Sequence, residues 1–297
     1  MTRRLDVRPH GPYSLALTAR HAGDATRRFR DGTLTAVVRV EGRPERASAE
    51  QRPDGTVALR AQSDAGLEQL RFVLALDADH TEFLRRFAAD PMLGEATRQL
   101  RGLRVLRVPT VAHALLRALC GQLIESRRAR SIERRIVQAV TPALDGLHAP
   151  PTCADLGALP PARLRALGLH ARRGATLVRL CRSVELERLR AVPSSGVAER
   201  LGRERGLGPW SVSVVCLEGL GRPEVGLVGD LGLIKLASDL RGRWVEAEET
   251  AELLEPYGEW GGLASVYLMT AYGRGLIPLP DRARTRRPPA RFRRAAA

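Results

Sequence analysis

The spacing of apolar residues changes once along the chain, near residue 64. Before that point, Thr33-Leu34-Thr35-Ala36-Val37-Val38-Arg39-Val40 and Thr56-Val57-Ala58-Leu59-Arg60 are short runs of β type. Asp-Gly pairs at 31–32 and 54–55 supply the positive-φ residues that hairpin turns need. A small antiparallel sheet is predicted between about Tyr13 and Ser63. From Asp64 onward the apolar positions recur at helical intervals, as in Glu82-Phe83-Leu84-Arg85-Arg86-Phe87 and Val111-Ala112-His113-Ala114-Leu115-Leu116-Arg117-Ala118-Leu119. The rest reads as an all-helical body, broken at Pro109, His148-Ala149-Pro150-Pro151, Pro160-Pro161 and Val192-Pro193-Ser194-Ser195-Gly196. The expected fold class is α+β, with no internal repeat.

One break is different in kind. Val197 to Arg205 has helical spacing, Gly206-Leu207-Gly208-Pro209 interrupts it, and an apolar run resumes from Trp210 to Leu217. Two glycines around one apolar residue allow a tight turn and let backbone amides approach a ligand closely. The helix that follows begins with unpaired amides and the positive end of its dipole, which suits a phosphate oxygen. Twenty residues after Trp210 stands Gly229-Asp230, ahead of Leu231-Gly232-Leu233-Ile234-Lys235. Taken alone, the glycine turn is equally well a structural corner, and Asp230 is a common helix N-cap.

Composition narrows the partner without fixing it. The 297 residues carry 48 Lys+Arg against 33 Asp+Glu, a formal charge of +15, which points to an anionic partner: nucleic acid, a membrane surface or an acidic protein. Part of the charge is local. Residues 282–297 hold seven arginines, two prolines and no acid, so a disordered basic tail is expected there. Lys235 is the chain's one lysine. Cys120, Cys153, Cys181 and Cys216 form no close pair, and the histidines show no metal-ligand spacing, so free thiols, no metal and a reducing cytoplasm are expected. No apolar run reaches membrane-span length, and no signal peptide is recognisable.

Three elements in order, Leu119-Cys120-Gly121-Gln122-Leu123-Ile124, the glycine hairpin through Ser211, and Val228-Gly229-Asp230, resemble the helix-hairpin-helix DNA glycosylase superfamily, and within it the DNA-3-methyladenine glycosylase II family. The resemblance covers much of the chain. It implies an N-terminal sheet domain (1–75), one helical subdomain assembled from 76–109 and 231–281, a second over 110–230 that carries the hairpin, and the basic tail (282–297), with the active site in the cleft between the helical subdomains. It implies duplex DNA with a damaged base as partner, no membrane, a monomer, and no cofactor beyond a possible monovalent cation at the hairpin backbone.

Residue by residue, the resemblance makes Asp230 the catalytic carboxylate. Removing a base hydrolyses an N-glycosidic bond, positive charge develops on the sugar, and a carboxylate can stabilise that charge and orient or deprotonate water. Gly206, Leu207, Gly208, Ser211 and Gln122 match the DNA-binding elements, and Leu123 matches the apolar wedge that fills the gap left by an extruded base. Trp210 matches the pocket aromatic. Other expected aromatics are missing: Val214 and Met269 stand at two such positions, and Trp260-Gly261-Gly262-Leu263-Ala264 replaces a Trp-Arg-Ser-x-Ala segment. Glu125 stands where a small polar residue is usual. In the strand-cleaving branch a lysine occupies the position of Trp210. A monofunctional alkylpurine glycosylase is therefore expected, the alternatives being a non-catalytic binder of damaged DNA and a glycosylase for bulkier adducts.

Overall fold

The computed structural model describes residues 2–280; the basic tail expected over 282–297 lies outside the described residues. Strands β1 (Arg3–Val7), β2 (Arg27–Arg30), β3 (Thr33–Val40), β4 (Arg43–Gln51) and β5 (Val57–Ala61) form one antiparallel sheet in the order β1-β5-β4-β3-β2. Asp31 and Gly32, with φ of 50° and 76°, make the β2–β3 turn, and Gly55 (φ 87°) the β4–β5 turn. The β3–β4 turn uses Glu41-Gly42. Strand β1 precedes the region where the sheet was expected. Its sequence, Arg-Arg-Leu-Asp-Val, hides its nature because it is an edge strand and mostly exposed.

Strand β3 shows why alternation was readable. Leu34, Ala36 and Val38 face a core with Leu59, α1 (Leu15–Ala19) and α2 (Asp64–Val73). Helix α2 starts where the periodicity changed, and Ser63 Oγ caps it by accepting from Gly66 N at 3.0 Å. On the opposite face, Val37 packs against Leu147 and Ala149. Leu147 belongs to a small hairpin, β6 (Ala143–Leu144) and β7 (Leu147–His148), so the body is not wholly helical. Two residues per strand are too few to show alternation, and the sign of this hairpin is its Asp145-Gly146 turn.

The body continues through α3 (Thr81–Arg86), α4 (Gly94–Gln99), α5 (Val111–Gly121), α6 (Ser126–Val140), α7 (Cys153–Gly157), α8 (Pro161–Ala166), α9 (Ala171–Ser183), α10 (Ser194–Gly202), α11 (Pro209–Val214), α12 (Leu231–Arg241), α13 (Thr250–Leu254) and α14 (Gly261–Gly273). A turn of π-helix, Val215–Leu220, extends α11. Helix α5 is central. Nine of its eleven residues are buried, as an apolar helix surrounded by α6, α9, α11 and the π turn must be. The π turn packs closely: a Cβ on Gly219 would lie 2.7 Å from the Ala114 Cβ.

Where the sheet meets the body, buried charges are matched. Arg117 on α5 binds Glu133 Oε1 and Asp24 Oδ2 through Nη2, at 2.8 and 2.9 Å, and Glu218 Oε2 through Nη1 at 2.7 Å. His113 Nε2 bonds Glu133 Oε1 at 2.8 Å, and Arg27 reaches Asp24 at 3.1 Å while also donating to the Arg107 carbonyl. Burial pushes Glu133 up, but Arg117 and His113 outweigh it and hold the carboxyl down to about 2. Asp24 is likewise held well below the usual range by Arg27 and Arg117 against its burial. No helix among the described residues is long and apolar enough to cross a membrane.

Candidate active site

Four segments converge at the C-terminal end of α5. Helix α10 ends at Gly202, and the chain turns through Gly206 at φ 96° before α11 begins at Pro209. That turn needs glycine: φ is left-handed, and a Cβ would meet Thr176 Oγ1 at 2.5 Å. Gly208 is different. Its φ of −99° suits any residue, and nothing lies within 4 Å of where its Cβ would be.

Gln122 follows α5 and fastens the hairpin to it. Its Nε2 donates to the Gly206 carbonyl at 3.0 Å and to Ser211 Oγ at 2.9 Å. Ser211 is 2% exposed and Leu207 8%, so both side chains anchor the turn from inside. Their side chains, like the Gln122 amide nitrogen, are engaged within the protein. The carbonyls of Glu204, Gly206 and Gly208 each accept one hydrogen bond.

Leu123 stands out from this anchored group. It is 75% exposed and held at φ 55°, and the one other exposed large apolar residue among those described is Leu279 at 37%. A β-unbranched residue in the left-handed region with its side chain in solvent is strained and unburied together, a combination that packing does not explain. Glu125, two residues on, is exposed at the N-cap of α6 without a capping bond of its own.

Asp230 is the N-cap of α12 and is half-buried. Its Oδ1 accepts from Gly232 N at 2.7 Å, which caps α12, and its Oδ2 accepts from Trp210 Nε1 at 2.9 Å. The loop before it is pinned: Gly229 N donates to Thr250 Oγ1 at 2.8 Å, Leu227 N to Ser265 Oγ at 3.1 Å, and Ser213 Oγ to the Gly226 carbonyl at 2.6 Å. Trp210 is partly exposed and lies across Gly121, where a Cβ would come 2.6 Å from Cη2. Met269 closes the other side, its Sδ 3.1 Å from where a Cβ on Gly232 would stand. Val214, in contrast, is 5% exposed and lies in the helical core, so its assignment to the pocket is corrected: α11 turns that position inward. Of the other side chains near the cleft in sequence, Tyr257 and Tyr267 are core residues, and Glu218 and Glu259 pair with Arg117 and Arg86.

The sequence reading missed Gly121 and Gly232 as shaping residues. Their signal was position: each is the small residue beside a motif whose aromatic or thioether occupies the Cβ space. Among the described residues no group of three or more His, Cys, Asp or Glu side chains could hold a metal. Lys235 projects outward on α12, between buried Ile234 and Leu236.

The fold has counterparts of known structure. The chain superposes on 3-methyladenine DNA glycosylase from Archaeoglobus fulgidus with a TM-score of 0.80 at 19% identity, over 92% of this chain and 98% of that one. It superposes on the Clostridium acetobutylicum 8-oxoguanine glycosylase/lyase bound to double-stranded DNA with a TM-score of 0.73 at 15% identity, over 93% and 98%. In sequence it is 29% identical to a DNA-3-methyladenine glycosylase of Bacillus subtilis over 204 residues, 65% of this chain and 67% of that protein. In fold and in sequence the chain is thus similar to DNA glycosylases. A further relative, a probable bifunctional transcriptional activator/DNA repair enzyme AlkA of Mycobacterium tuberculosis, is 25% identical over 256 residues, and the chain spans half of its length. No family model matches the chain.

Proposed function

We propose that the chain is a monofunctional DNA glycosylase that hydrolyses the N-glycosidic bond of alkylated purines of the 3-methyladenine type in duplex DNA, acting as a monomer and leaving an abasic site. The observation that carries this reading is Asp230: a half-buried carboxylate oriented by two neutral donors and paired with no cation among the described residues. As the C1′–N bond breaks, its electron pair leaves with the base, neutralising the positive charge that alkylation placed there. The sugar becomes cationic, and a carboxylate whose partners are dipoles keeps its charge to stabilise it. Water adds at C1′, and its proton passes to Asp230 or to solvent.

The surroundings fit extrusion of the base. Exposed Leu123 suits the space a flipped nucleotide vacates, and Trp210 and Met269 border the carboxylate where that nucleotide would arrive. Gly208 leaves its side of the hairpin open to a backbone phosphate, which α11's free amides and dipole favour. The absence of lyase activity is inferred from chemistry: a Schiff base needs an amine, and the single lysine projects from the outer side of α12.

The test is release of 3-methyladenine and 7-methylguanine from alkylated duplex by the parent and by Asp230→Asn, with strand integrity measured before and after alkali. Base release by the parent, lower in the variant by on the order of 10²–10⁴-fold, with nicks only after alkali, is expected. Nicks before alkali, or borohydride trapping of the chain on DNA, would overturn the monofunctional assignment. Binding without release by the parent would overturn the enzymatic one for these bases.

A further inference from the structure

An open-sided cavity of about 220 Å³ lies where the sheet meets the body. Four segments wall it: the loop before β2, β2 itself, α6 and the β6–β7 turn. Short bonds hold these segments together. Gly23 forms a β-bridge with Arg28, Arg134 Nη2 donates to the Gly23 carbonyl at 2.9 Å, and His148 N donates to the Ala25 carbonyl at 2.8 Å. Gly23 therefore brings Arg28 of β2 and Arg134 of α6 to one cavity, and both side chains line it. Gln138, one helical turn beyond Arg134, extends the α6 wall.

The one carboxylate in this lining, Asp24, is already engaged on both oxygens. Its Oδ1 accepts from Thr26 N and Thr26 Oγ1, both at 2.8 Å, and from Arg27 N at 3.1 Å. Its Oδ2 accepts from Arg27 Nε at 3.1 Å and Arg117 Nη2 at 2.9 Å. With Asp24 shared between two guanidinium groups, Arg28 and Arg134 give the cavity a positive potential. A larger concavity of about 530 Å³, between α2 and the start of α5, shows the other case. There Glu68 and Glu187 stand beside Arg39 and Arg190, and Arg190 Nε lies 3.4 Å from Glu187 Oε2, so the lining charges cancel in place.

We propose that the smaller cavity is a phosphate site, with the guanidinium groups of Arg28 and Arg134 as charged donors and the Gln138 amide as a neutral one. Donors on separate walls suit a tetrahedral anion, whose oxygens point in several directions, better than a flat carboxylate. Guanidinium forks match such oxygens in pairs. The volume accommodates the group with part of its hydration, since one water takes about 30 Å³. The phosphate is either free in solution or part of a DNA backbone, and only the second source rests on the glycosylase reading. Arg134 stands eight residues beyond Ser126, where α6 begins next to Leu123. That is about 12 Å along the helix, or roughly three to four base pairs of duplex at about 3.4 Å each.

The experiment is thermal unfolding of the full chain as inorganic phosphate replaces chloride at constant ionic strength, for the parent, Arg28→Gln, Gln138→Ala and Arg60→Gln. Arg28 and Gln138 are exposed, so their variants should fold as the parent does. Arg60→Gln, on β5 three strands from β2, removes the same charge elsewhere. Saturable stabilisation of the parent and Arg60→Gln is expected, with phosphate affinity about tenfold or more weaker in Arg28→Gln and several-fold weaker in Gln138→Ala. Phosphate acting on all four proteins alike, as a general salting effect does, would sink the site. Titration of the same proteins with a duplex carrying an abasic-site analogue, across a salt series, then identifies the source. Weaker duplex binding by Arg28→Gln, with about one unit lost from the slope of log K against log salt, assigns the phosphate to DNA; duplex binding equal to that of Arg60→Gln assigns it to free phosphate. A parent that binds phosphate but no duplex refutes the glycosylase reading and leaves the site standing. A parent that releases alkylated bases without a saturable phosphate response refutes the site alone.

Discussion

Two polar clusters adjoin α5, and their carboxylates are satisfied in opposite ways. Around the middle of the helix, Glu133, Asp24 and Glu218 share Arg117, with His113 and Arg27 completing the set. At its C-terminal end Asp230 has an indole N–H and a backbone N–H and, among the described residues, no cation. The first cluster is closed electrostatically, each charge answered inside the fold. The second leaves a formal negative charge held in place by neutral donors. Burial alone does not separate the two roles; the kind of partner does. An arginine-bound carboxylate has little field left to offer a developing cation, while a dipole-bound one retains it.

The largest effect should come from opening the closed cluster. Arg117→Met leaves three carboxylates at a buried junction and is expected to destabilise the chain by about 3–5 kcal/mol, measured by urea unfolding. Acid tests the same cluster in the parent. The Glu133 carboxyl is depressed in the folded state, so the stability it contributes is present above its unfolded value near 4.5 and is lost as pH falls toward about 2. In Arg117→Met the Glu133 carboxyl loses the charge that opposes its burial, and acid unfolding should begin at higher pH. An unchanged acid midpoint would show that Arg117 does not hold Glu133 charged.

How much of this was legible beforehand depended on whether the signal was local. The sheet's middle strands, the change to helix at Asp64, the hairpin and Asp230 are announced by side-chain period or by glycine and aspartate placement, which act within a few residues. Strand β1 and the β6–β7 hairpin were missed, one because only Leu5 and Val7 of its five residues make an apolar face, the other because it is too short to alternate. Val214, Leu207 and Ser211 were assigned to the ligand side by motif, and the rotation of α11 and the Gln122 bonds turn them inward. The indole bond to Asp230 spans twenty residues, and no pattern in the sequence specifies it.

That bond can be weakened without touching either partner. Gly121→Ala should favour α5 by propensity, since alanine is the better helix former by about 1 kcal/mol. Its methyl nevertheless occupies space used by the Trp210 ring. Displacing the indole should disorient Asp230, so base release is expected to fall by about tenfold or more, a barrier change of roughly 1.4 kcal/mol or above, with duplex affinity nearly unchanged. Single-turnover kinetics beside a binding isotherm provide the check. Parent-like release would mean that Asp230 is oriented adequately by its α12 bond alone.

The smallest effect sharpens the contrast between what the fold needs and what a ligand needs, because the hairpin contains one glycine of each sort. Gly206→Ala forces a side chain into the left-handed region and against Thr176, and should cost about 1–3 kcal/mol of stability. Gly208→Ala meets neither obstacle, so its stability should stay within about 0.5 kcal/mol of the parent. If the open side of Gly208 is where a DNA phosphate approaches the α11 amides, the same methyl should weaken duplex binding in a protein that is otherwise intact. Thermal unfolding and duplex titration of the two variants separate the cases: lost stability belongs to Gly206, and lost affinity at full stability to Gly208. Equal affinity of Gly208→Ala and parent would move the phosphate away from that turn.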